Sequence, residues 1–155
     1  MTDLINVRPM LRTDLPAIAP VLEATGLFPS DMLADMAAPF LDDAAPHIWL
    51  VATIGRRLCG FAYCEPERAT QGTFNLLAIA VAPGDQGQGV GSTLVASLEA
   101  RLRTDAARVL IVETSALDAY ADSRAFYLVR GFSEEARIRD FYEEGEHKVI
   151  FWKHL

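Results

Sequence analysis

The sequence predicts an α/β (α+β) fold with a mixed, mostly antiparallel sheet and helices on both of its faces. One observation is a strand, a Gly-rich turn and an amphipathic helix in direct succession over residues 79–102, followed by a short apolar stretch at 109–112. That order is typical of a strand–helix–strand unit, which joins two parallel strands. A second observation is a pair of apolar stretches, 48–54 and 58–64, separated only by Gly-Arg-Arg, which is typical of an antiparallel hairpin.

The N-terminal part of the chain is predicted to place two helices between its first strand and that hairpin. A strand at 5–10 precedes a helix that Thr13 caps. A second helix covers residues 30–41. Met32 and Met36 lie on one face of this second helix, so we expect both side chains to pack against the core.

The C-terminal part of the chain is predicted to continue with strands on either side of two helices. The helix at 90–103 places Val90, Leu94, Leu98 and Leu102 on one stripe, which is expected to be buried. The remaining predicted elements are the strands 74–81, 109–112, 132–139 and 148–152 and a helix at 119–130 that Gly131 ends.

Length and composition indicate one domain over residues 1–155. With 51% hydrophobic and 23% charged residues, the chain can form a sizeable core but has no room for a second one. The first residues do not resemble a signal peptide, and no apolar run approaches ~18 residues, so no membrane span is expected. We therefore expect a cytoplasmic protein, with Cys59 and Cys64 as buried, reduced thiols on opposite faces of one strand.

The chain is acidic, with 14 Lys and Arg against 21 Asp and Glu and a formal net charge of -7. This charge argues against nucleic acid as a partner, because no cluster of basic residues offsets the repulsion. A membrane partner is not expected either. The sequence leaves open whether the protein forms a homodimer.

The Gly-rich turn carries the strongest functional signal in the sequence. Gly87, Gly89 and Gly91 alternate with Gln88 and Val90 just before a predicted helix. Glycines let backbone amides approach an anion closely, and a helix N-terminus offers unpaired N–H groups and the positive end of the helix dipole. The turn therefore predicts a phosphate-binding site, with an ordinary tight turn as the alternative.

Two other phosphate-binding motifs fit the turn poorly. A Walker A loop requires a lysine before its Ser or Thr, whereas Gly91 runs directly into Ser92 and Thr93. A dinucleotide-binding fingerprint requires the spacing Gly-x-Gly-x-x-Gly, and here the third glycine comes one residue early. Hydrolysis of nucleoside triphosphates and binding of dinucleotides are therefore disfavoured.

Three segments of the chain, taken in order, form a recognisable pattern. Gln86, Gly89 and Gly91 follow the spacing Gln/Arg-x-x-Gly-x-Gly/Ala. Residues 79–83 read Ile-Ala-Val-Ala-Pro, and residues 124–132 read Arg-Ala-Phe-Tyr-Leu-Val-Arg-Gly-Phe. These segments resemble the acyl-CoA-binding turn, the preceding strand and the second motif of the GNAT superfamily of N-acetyltransferases. The resemblance implies the fold of that family and acetyl-CoA as co-substrate.

The resemblance also implies where CoA binds. In the GNAT family the CoA pyrophosphate lies on the Gly-rich turn, and the pantetheine arm pairs with the backbone of the preceding strand, which carries a bulge. The residues predicted in this way to bind the cofactor are Ile79, Ala80, Val81, Gln86, Gly87, Gln88, Gly89, Val90, Gly91 and Ser92.

Two residues are predicted to be catalytic. Acetyl transfer from a thioester to an amine requires a neutral nucleophile and an acid for the departing thiolate. Tyr127 matches the tyrosine that many GNAT enzymes place near the thioester sulfur, and it is the candidate acid. Glu113, at the end of the apolar strand 109–112, is the candidate base. One departure from the family is Tyr120, which stands where many relatives have an asparagine that contacts the cofactor.

The acceptor is expected to bind near the last hairpin, where Asp140 and Tyr142 are predicted to line an amine pocket. The predicted reaction moves an acetyl group from acetyl-CoA to a primary amine of a small molecule, an amino acid or a peptide by direct attack in a ternary complex. The negative net charge favours a cationic acceptor. The alternative is a non-catalytic acyl-CoA-binding domain that acts as a sensor or binds another protein.

The histidines and tryptophans are expected to be structural. His47, His147 and His154 are not spaced as metal ligands with each other or with a cysteine, so no metal is predicted. Trp49 and Trp152 each lie in an apolar strand pattern. Both are expected to be core or interface residues.

Overall fold

The computed structural model of the protein describes residues 4–155, which form seven strands and four α-helices. The strands are β1 (Ile5–Pro9), β2 (Ile48–Ile54), β3 (Arg57–Pro66), β4 (Thr73–Val81), β5 (Val109–Ser115), β6 (Ser133–Glu143) and β7 (Glu146–His154). The helices are α1 (Leu15–Thr25), α2 (Leu33–Leu41), α3 (Val90–Thr104) and α4 (Ala121–Val129).

The strands form one sheet in the order β1-β2-β3-β4-β5-β7-β6. β4 and β5 are parallel over residues 73–76 and 109–112, and α3 is the crossover that such a pair requires. The pairs β1/β2, β2/β3, β5/β7 and β6/β7 are antiparallel. The α/β fold with a mixed, mostly antiparallel sheet, predicted from the sequence, is therefore confirmed.

The described residues divide into two compact units. The first comprises residues 4–65 and 77–101, and the second comprises residues 66–76 and 102–155. The core of the first unit joins α1 and α2 to β2, β3 and β4. Its buried members are Met10, Ile18, Val21, Leu22, Leu33, Ala37, Trp49, Val51, Phe61, Tyr63, Ala78 and Ala80. That the chain acts as one domain stays a prediction.

The apolar stripe predicted on α3 is confirmed, because all four of its residues are at most 1% exposed. In the first unit, β3 lies close to both β4 and this helix. A Cβ at Gly60 would lie 2.8 Å from the backbone oxygen of Ala80, 3.2 Å from Val90 and 3.3 Å from Leu94. The absence of a side chain at Gly60 therefore permits this close packing.

Two hydrogen bonds indicate that β4 carries an extra residue relative to β3. The N–H of Glu67 donates to the carbonyl of Thr73, and the N–H of Ala82 donates to the carbonyl of Cys59, both at 2.8 Å. Cys59 and Glu67 are eight positions apart in the chain, whereas their partners, Thr73 and Ala82, are nine apart. β4 therefore has one extra residue between the two bonds and forms a bulge there. The family resemblance implied a bulge in this strand.

The start of α1 differs from the prediction. The helix begins only after a 3₁₀ turn at Arg12–Asp14, so Thr13 does not cap it. Asp14 holds the turn instead, because its carboxylate accepts a hydrogen bond from the N–H of Leu11 at 2.7 Å and two from the guanidinium of Arg8.

The start of α2 is also later than predicted, since Ser30–Met32 form a 3₁₀ turn before it. Met32 therefore lies outside the helix and is 46% exposed, which contradicts its predicted packing. Met36 does pack against the core of the first unit, as expected. A 3₁₀ turn rotates side chains by a different angle per residue, so the helical spacing of the two methionines does not hold.

The strands of the second unit are longer than their apolar stretches. β5 continues to Ser115 because its last three residues pair with β7, and Glu113 consequently lies within the strand and not at its end. Trp152 of β7 is 36% exposed and is not a core residue, whereas Trp49 of the first unit is fully buried. Backbone pairing sets these lengths, and polar residues can take part in it.

Both cysteines belong to the first unit and are buried, free thiols, as predicted. Burial raises the pKa of Cys59 and of Cys64, which disfavours the reactive thiolate. Within residues 4–155, none of the helices has the length and apolar character needed to cross a membrane.

Candidate active site

The predicted phosphate-binding turn belongs to the first unit and is exposed. Gly87 and Gly89 have φ values of 80° and 89°, a conformation that residues with a Cβ rarely adopt. Apart from the glycine itself and its two neighbours in the chain, no described residue has an atom within 4 Å of the position that a Cβ would take at either glycine. The neighbouring Gln86 and Gln88 are exposed as well. The backbone of the turn is therefore accessible to an anion.

The start of α3 adds unpaired N–H groups to this turn. The first backbone hydrogen bond of the helix runs from the N–H of Thr93 to the carbonyl of Gly89 at 3.0 Å, and the Thr93 hydroxyl donates to the same oxygen at 2.8 Å. The N–H groups of Val90, Gly91 and Ser92 precede that bond and have no partner within the helix. Together with the helix dipole, they make this N-terminus suitable for binding phosphate.

An ion pair that was not predicted from the sequence anchors the turn. Arg57 donates from both terminal nitrogens to the carboxylate of Asp85, with 2.9 Å between Nη2 and Oδ1. Asp85 is 5% exposed, and the hydrogen bonds from Arg57 hold the pKa of its carboxyl below the usual range. The guanidinium thereby neutralises a carboxylate beside the predicted phosphate site. The two residues are 28 positions apart, and no spacing rule connects them.

The strand residues predicted to pair with pantetheine lie at the end of β4. Ala80 is buried in the core of the first unit, whereas Ile79 and Val81 are half-buried. The parallel ladder of β4 ends at Leu76, so these three residues lie beyond it. The side-chain amide of Gln86 donates to the carbonyl of Val81 at 3.2 Å, which links the strand end to the turn. Their contact with the cofactor stays a prediction.

Tyr127, the predicted acid, lies on α4 in the second unit and is 6% exposed. Its ring centre is 5.4 Å from that of Phe126, 5.7 Å from that of Phe132 and 5.5 Å from that of Phe151. Burial among these rings raises the pKa of Tyr127 to about 12. The hydroxyl is therefore protonated at neutral pH, which is the state that a proton donor requires.

Glu113, the predicted base, is paired with a lysine in the same unit. Nζ of Lys148 donates to Oε2 of Glu113 at 3.0 Å. Lys148 pairs in register with Ser115, two residues from Glu113, so both side chains lie on one face of the sheet. The lysine is 7% exposed. The pair could not be predicted from the sequence because 35 positions separate the two residues.

The predicted amine-binding residues lie in an irregular part of β6. Two register pairs, Ile138–Lys148 and Glu143–Glu146, enclose a segment in which four residues of β6 face a single residue of β7. This segment, residues 139–142, is called the β6 bulge below. Bulges change the direction of side chains and are common beside active sites. Here the bulge places the ring centre of Phe141 3.4 Å from Nζ of Lys148.

Tyr142 of the β6 bulge lies near the predicted base. Its side chain is partly buried, and this burial together with the charge of Glu113 raises its pKa, with smaller effects from Glu146 and Tyr120. Tyr142 is nevertheless 46% exposed, and Tyr120 is 43% exposed. The structure thus brings Tyr142, Tyr120 and Glu113 together in the second unit, while acceptor binding stays a prediction.

Asp140 forms hydrogen bonds within the β6–β7 hairpin. Its Oδ1 accepts a hydrogen bond from the N–H of Gly145 at 2.9 Å, and its own N–H donates to Nδ1 of His147 at 2.9 Å. His47 is also engaged, with 2.7 Å between its Nε2 and Oε1 of Glu65 in the first unit. In the described part of the chain, no group of three or more His, Cys, Asp or Glu side chains is arranged to hold a metal ion.

The chain is similar to known proteins in both sequence and structure. The model of the Acetyltransferase (GNAT) family matches residues 11–132 of the chain. A search of curated protein sequences found no significant match.

Three solved structures illustrate the likeness. A protein from Desulfovibrio desulfuricans assigned to the acetyltransferases of the GNAT family is 32% identical, with a TM-score of 0.88 over 97% of this chain and 99% of that one. The ribosomal-protein-S18-alanine N-acetyltransferase of Escherichia coli is 23% identical, with a TM-score of 0.80 over 97% and 94%. An aminoglycoside 6'-N-acetyltransferase complexed with coenzyme A is 14% identical, with a TM-score of 0.80 over 96% of both chains. The last two show likeness of fold alone.

Proposed function

The chain belongs to the Acetyltransferase (GNAT) family, and on that premise we propose that it transfers an acetyl group from acetyl-CoA to a primary amine. The acceptor is a small molecule, an amino acid or a peptide, and its amine attacks the thioester directly while both substrates are bound. Family membership supports acetyl transfer as the type of reaction. The CoA complex of a protein with the same fold supports CoA as the carrier.

The observation that carries this proposal is the exposed turn before α3. Its two left-handed glycines, Gly87 and Gly89, and the N–H groups of residues 90–92 suit a pyrophosphate that is bound by backbone amides. The ion pair of Arg57 with Asp85 removes the nearby negative charge that would oppose such a ligand. A chain with a net charge of -7 can thus bind an anionic cofactor without a basic patch.

In the proposed reaction, residues of the second unit handle the protons. Glu113 accepts a proton from the ammonium group of the acceptor, which leaves a neutral amine. The amine nitrogen bonds to the carbonyl carbon of the thioester, and the carbon–sulfur bond breaks. Tyr127 donates its proton to the departing thiolate and is then reprotonated from solvent. The nitrogen loses its second proton to solvent. The products are an N-acetyl amide, the CoA thiol and one released proton.

The proposal places the activity in the cytoplasm, where buried cysteines such as Cys59 and Cys64 stay reduced. It includes neither nucleic acid nor a membrane as a partner. The net charge of -7 favours acceptors that carry positive charge in addition to the reacting amine. Whether the protein is a homodimer is a question for a measurement of mass in solution.

The test is the release of CoA thiol from acetyl-CoA in the presence of a panel of amines. The panel contains a peptide with N-terminal alanine, an aminoglycoside, a free amino acid and a diamine, with a control that lacks an acceptor. We expect thiol release that depends on at least one amine, together with a product that is heavier by one acetyl group.

Two other results would contradict the proposal in different ways. If CoA raises the melting temperature but no amine in the panel is acetylated, a non-catalytic acyl-CoA-binding domain becomes the better interpretation. If neither acetyl-CoA nor CoA binds, the turn before α3 does not hold a pyrophosphate and both interpretations are wrong.

A further inference from the structure

Lys148 carries a buried charge in the second unit, next to the proposed base. The residue is 7% exposed, yet its side chain ends in an ammonium group. Removing such a group from water is costly unless another charge and further polar or aromatic contacts compensate for the loss of hydration. The contacts that compensate for the burial of Lys148 are therefore expected to be specific.

Two contacts enclose this ammonium group. Glu113 accepts its hydrogen bond through Oε2 at 3.0 Å, and the ring centre of Phe141 lies 3.4 Å from Nζ. An ammonium group over an aromatic ring is attracted to the negative face of the ring, and the attraction is stronger where water is excluded. The β6 bulge places Phe141 in that position, so the irregularity of the strand completes the environment of Lys148.

The carboxylate of Glu113 is held on one side only. The Glu113 side chain is 29% exposed. Among the described residues, no donor is bonded to its second oxygen, Oε1. A carboxylate with one oxygen fixed and the other accessible has a defined orientation. It can still accept a proton at the free oxygen.

We infer that Lys148 is a positioning residue for Glu113: its ammonium group, which lies against the ring of Phe141, holds one carboxylate oxygen so that the other oxygen receives the proton of the acceptor amine. This inference rests on the proposed function, because it assumes that Glu113 is the base. Lys148 acts through Glu113 and contacts neither substrate. Loss of the Lys148 side chain leaves the Glu113 carboxylate free to rotate and removes the adjacent positive charge.

The first test observes the orientation of the Glu113 carboxylate directly and needs no substrate. It compares crystal structures of the protein and of its Lys148→Met variant. Nζ of Lys148 donates to Oε2 of Glu113 at 3.0 Å, and this hydrogen bond fixes one carboxylate oxygen. Without it, the Glu113 side chain is expected to take a different rotamer or several rotamers. A carboxylate that keeps its position in the variant would overturn the inference.

The second test is kinetic and uses the amine of the panel that is acetylated fastest. Lys148→Met is expected to lower kcat/KM by about 10- to 100-fold, because a misplaced base loses its alignment. The KM for acetyl-CoA should not change, and Lys148→Arg should restore part of the activity. Methionine suits a site under an aromatic ring, and a thermal melt checks that the variant is folded.

Lys153→Met is the matched control, since it removes a lysine from the same strand. Nζ of Lys153 donates to the backbone of Arg130 at 2.7 Å, and Lys153 pairs in register with Leu110, away from Glu113. This control should keep its activity. A loss equal to that of Lys148→Met would show that the removal of charge from β7 is sufficient, and it would overturn the inference.

The variant Glu113→Gln separates this inference from the proposed function. In that background, Lys148→Met should cause no further loss, because a positioning residue has nothing left to position. Equal losses in both backgrounds would overturn the inference alone. Full activity of Glu113→Gln would refute the base role and the inference with it. If no amine is acetylated, the proposed function fails, and the structure of Lys148→Met still decides whether Lys148 orients the carboxylate.

Discussion

At the scale of single residues, three aromatic rings enclose Tyr127 and keep its hydroxyl protonated far above neutral pH. The pKa of about 12 results from burial, which disfavours the phenolate. A proton donor with this pKa keeps its proton through the range in which acetyl transfer is assayed. The ring packs against Phe126, Phe132 and Phe151, so its position is also well defined.

Replacement of Tyr127 by Phe tests the acid role. The substitution keeps the ring and deletes the hydroxyl, so turnover should fall by about 10- to 1,000-fold if protonation of the thiolate limits the rate. The affinity for CoA, measured by calorimetry, should change little. Unchanged turnover with the same acceptor would remove Tyr127 from the mechanism.

The same substitution should also change how the stability of the protein depends on pH. The pKa of Tyr127 is raised from 10.0 to about 12 in the folded state, so the unfolded state loses the proton first as pH rises. The tyrosine thus contributes stability that is present below pH 10 and lost by about pH 12. This decrease in the free energy of unfolding amounts to about 2 to 3 kcal/mol, and it should be absent in Tyr127→Phe. Urea denaturation between pH 9 and pH 12 measures this difference. If the free energy of unfolding depends on pH in the same way in both proteins, the prediction is wrong.

At the scale of elements, the turn before α3 depends on the conformation of its glycines. Gly89→Val is expected to abolish CoA binding, because φ of 89° is unfavourable for valine and its side chain would obstruct the approach of an anion. Gly145→Val is the matched control, since Gly145 has φ of 86° and equally open surroundings in the β6–β7 turn. Calorimetric titration with CoA should show binding to the control only. Normal binding to Gly89→Val would refute the phosphate site.

The packing of β3 against β4 and α3 gives a second prediction at this scale. Gly60→Ala should lower the free energy of unfolding by about 1 to 3 kcal/mol, because overpacking a filled interior forces its neighbours to move. The added Cβ would meet the carbonyl oxygen of Ala80 at 2.8 Å. Gly84→Ala, at a position with open surroundings, should have little effect in the same urea titration. Equal stability of the two variants would mean that the neighbours of Gly60 yield easily.

At the scale of the whole molecule, the acidic chain is proposed to bind an anionic cofactor, so binding should be visible in its stability. CoA that binds only the folded state adds about 2.7 kcal/mol at a concentration one hundred times its Kd. For a chain of 155 residues, this corresponds to a rise in Tm of roughly 5 to 10 °C. A fluorescence melt with and without CoA measures the shift. The absence of any shift at millimolar CoA would contradict the proposed cofactor.

Some features of the site could be predicted because they depend on residues close together in the chain. The alternation of glycines predicted the turn, and Gly87 and Gly89 do adopt left-handed conformations there. The spacing of the apolar stripe predicted the buried face of α3. In contrast, the 3₁₀ turns before α1 and α2 have no such periodicity, so Thr13 and Met32 were assigned wrongly.

The sequence by itself determined the mixed sheet, the order of its elements and the Gly-rich turn before α3, since periodicity and turn composition act over a few residues. Only the tertiary structure decided which charged side chains meet. Arg57 reaches Asp85 across 28 positions, and Lys148 reaches Glu113 across 35. The register between β5 and β7, which are distant in the chain, sets the second of these contacts. The β6 bulge, which forms within the β6–β7 hairpin, adds the ring of Phe141 to it. The surroundings of the proposed base therefore became known only with the fold.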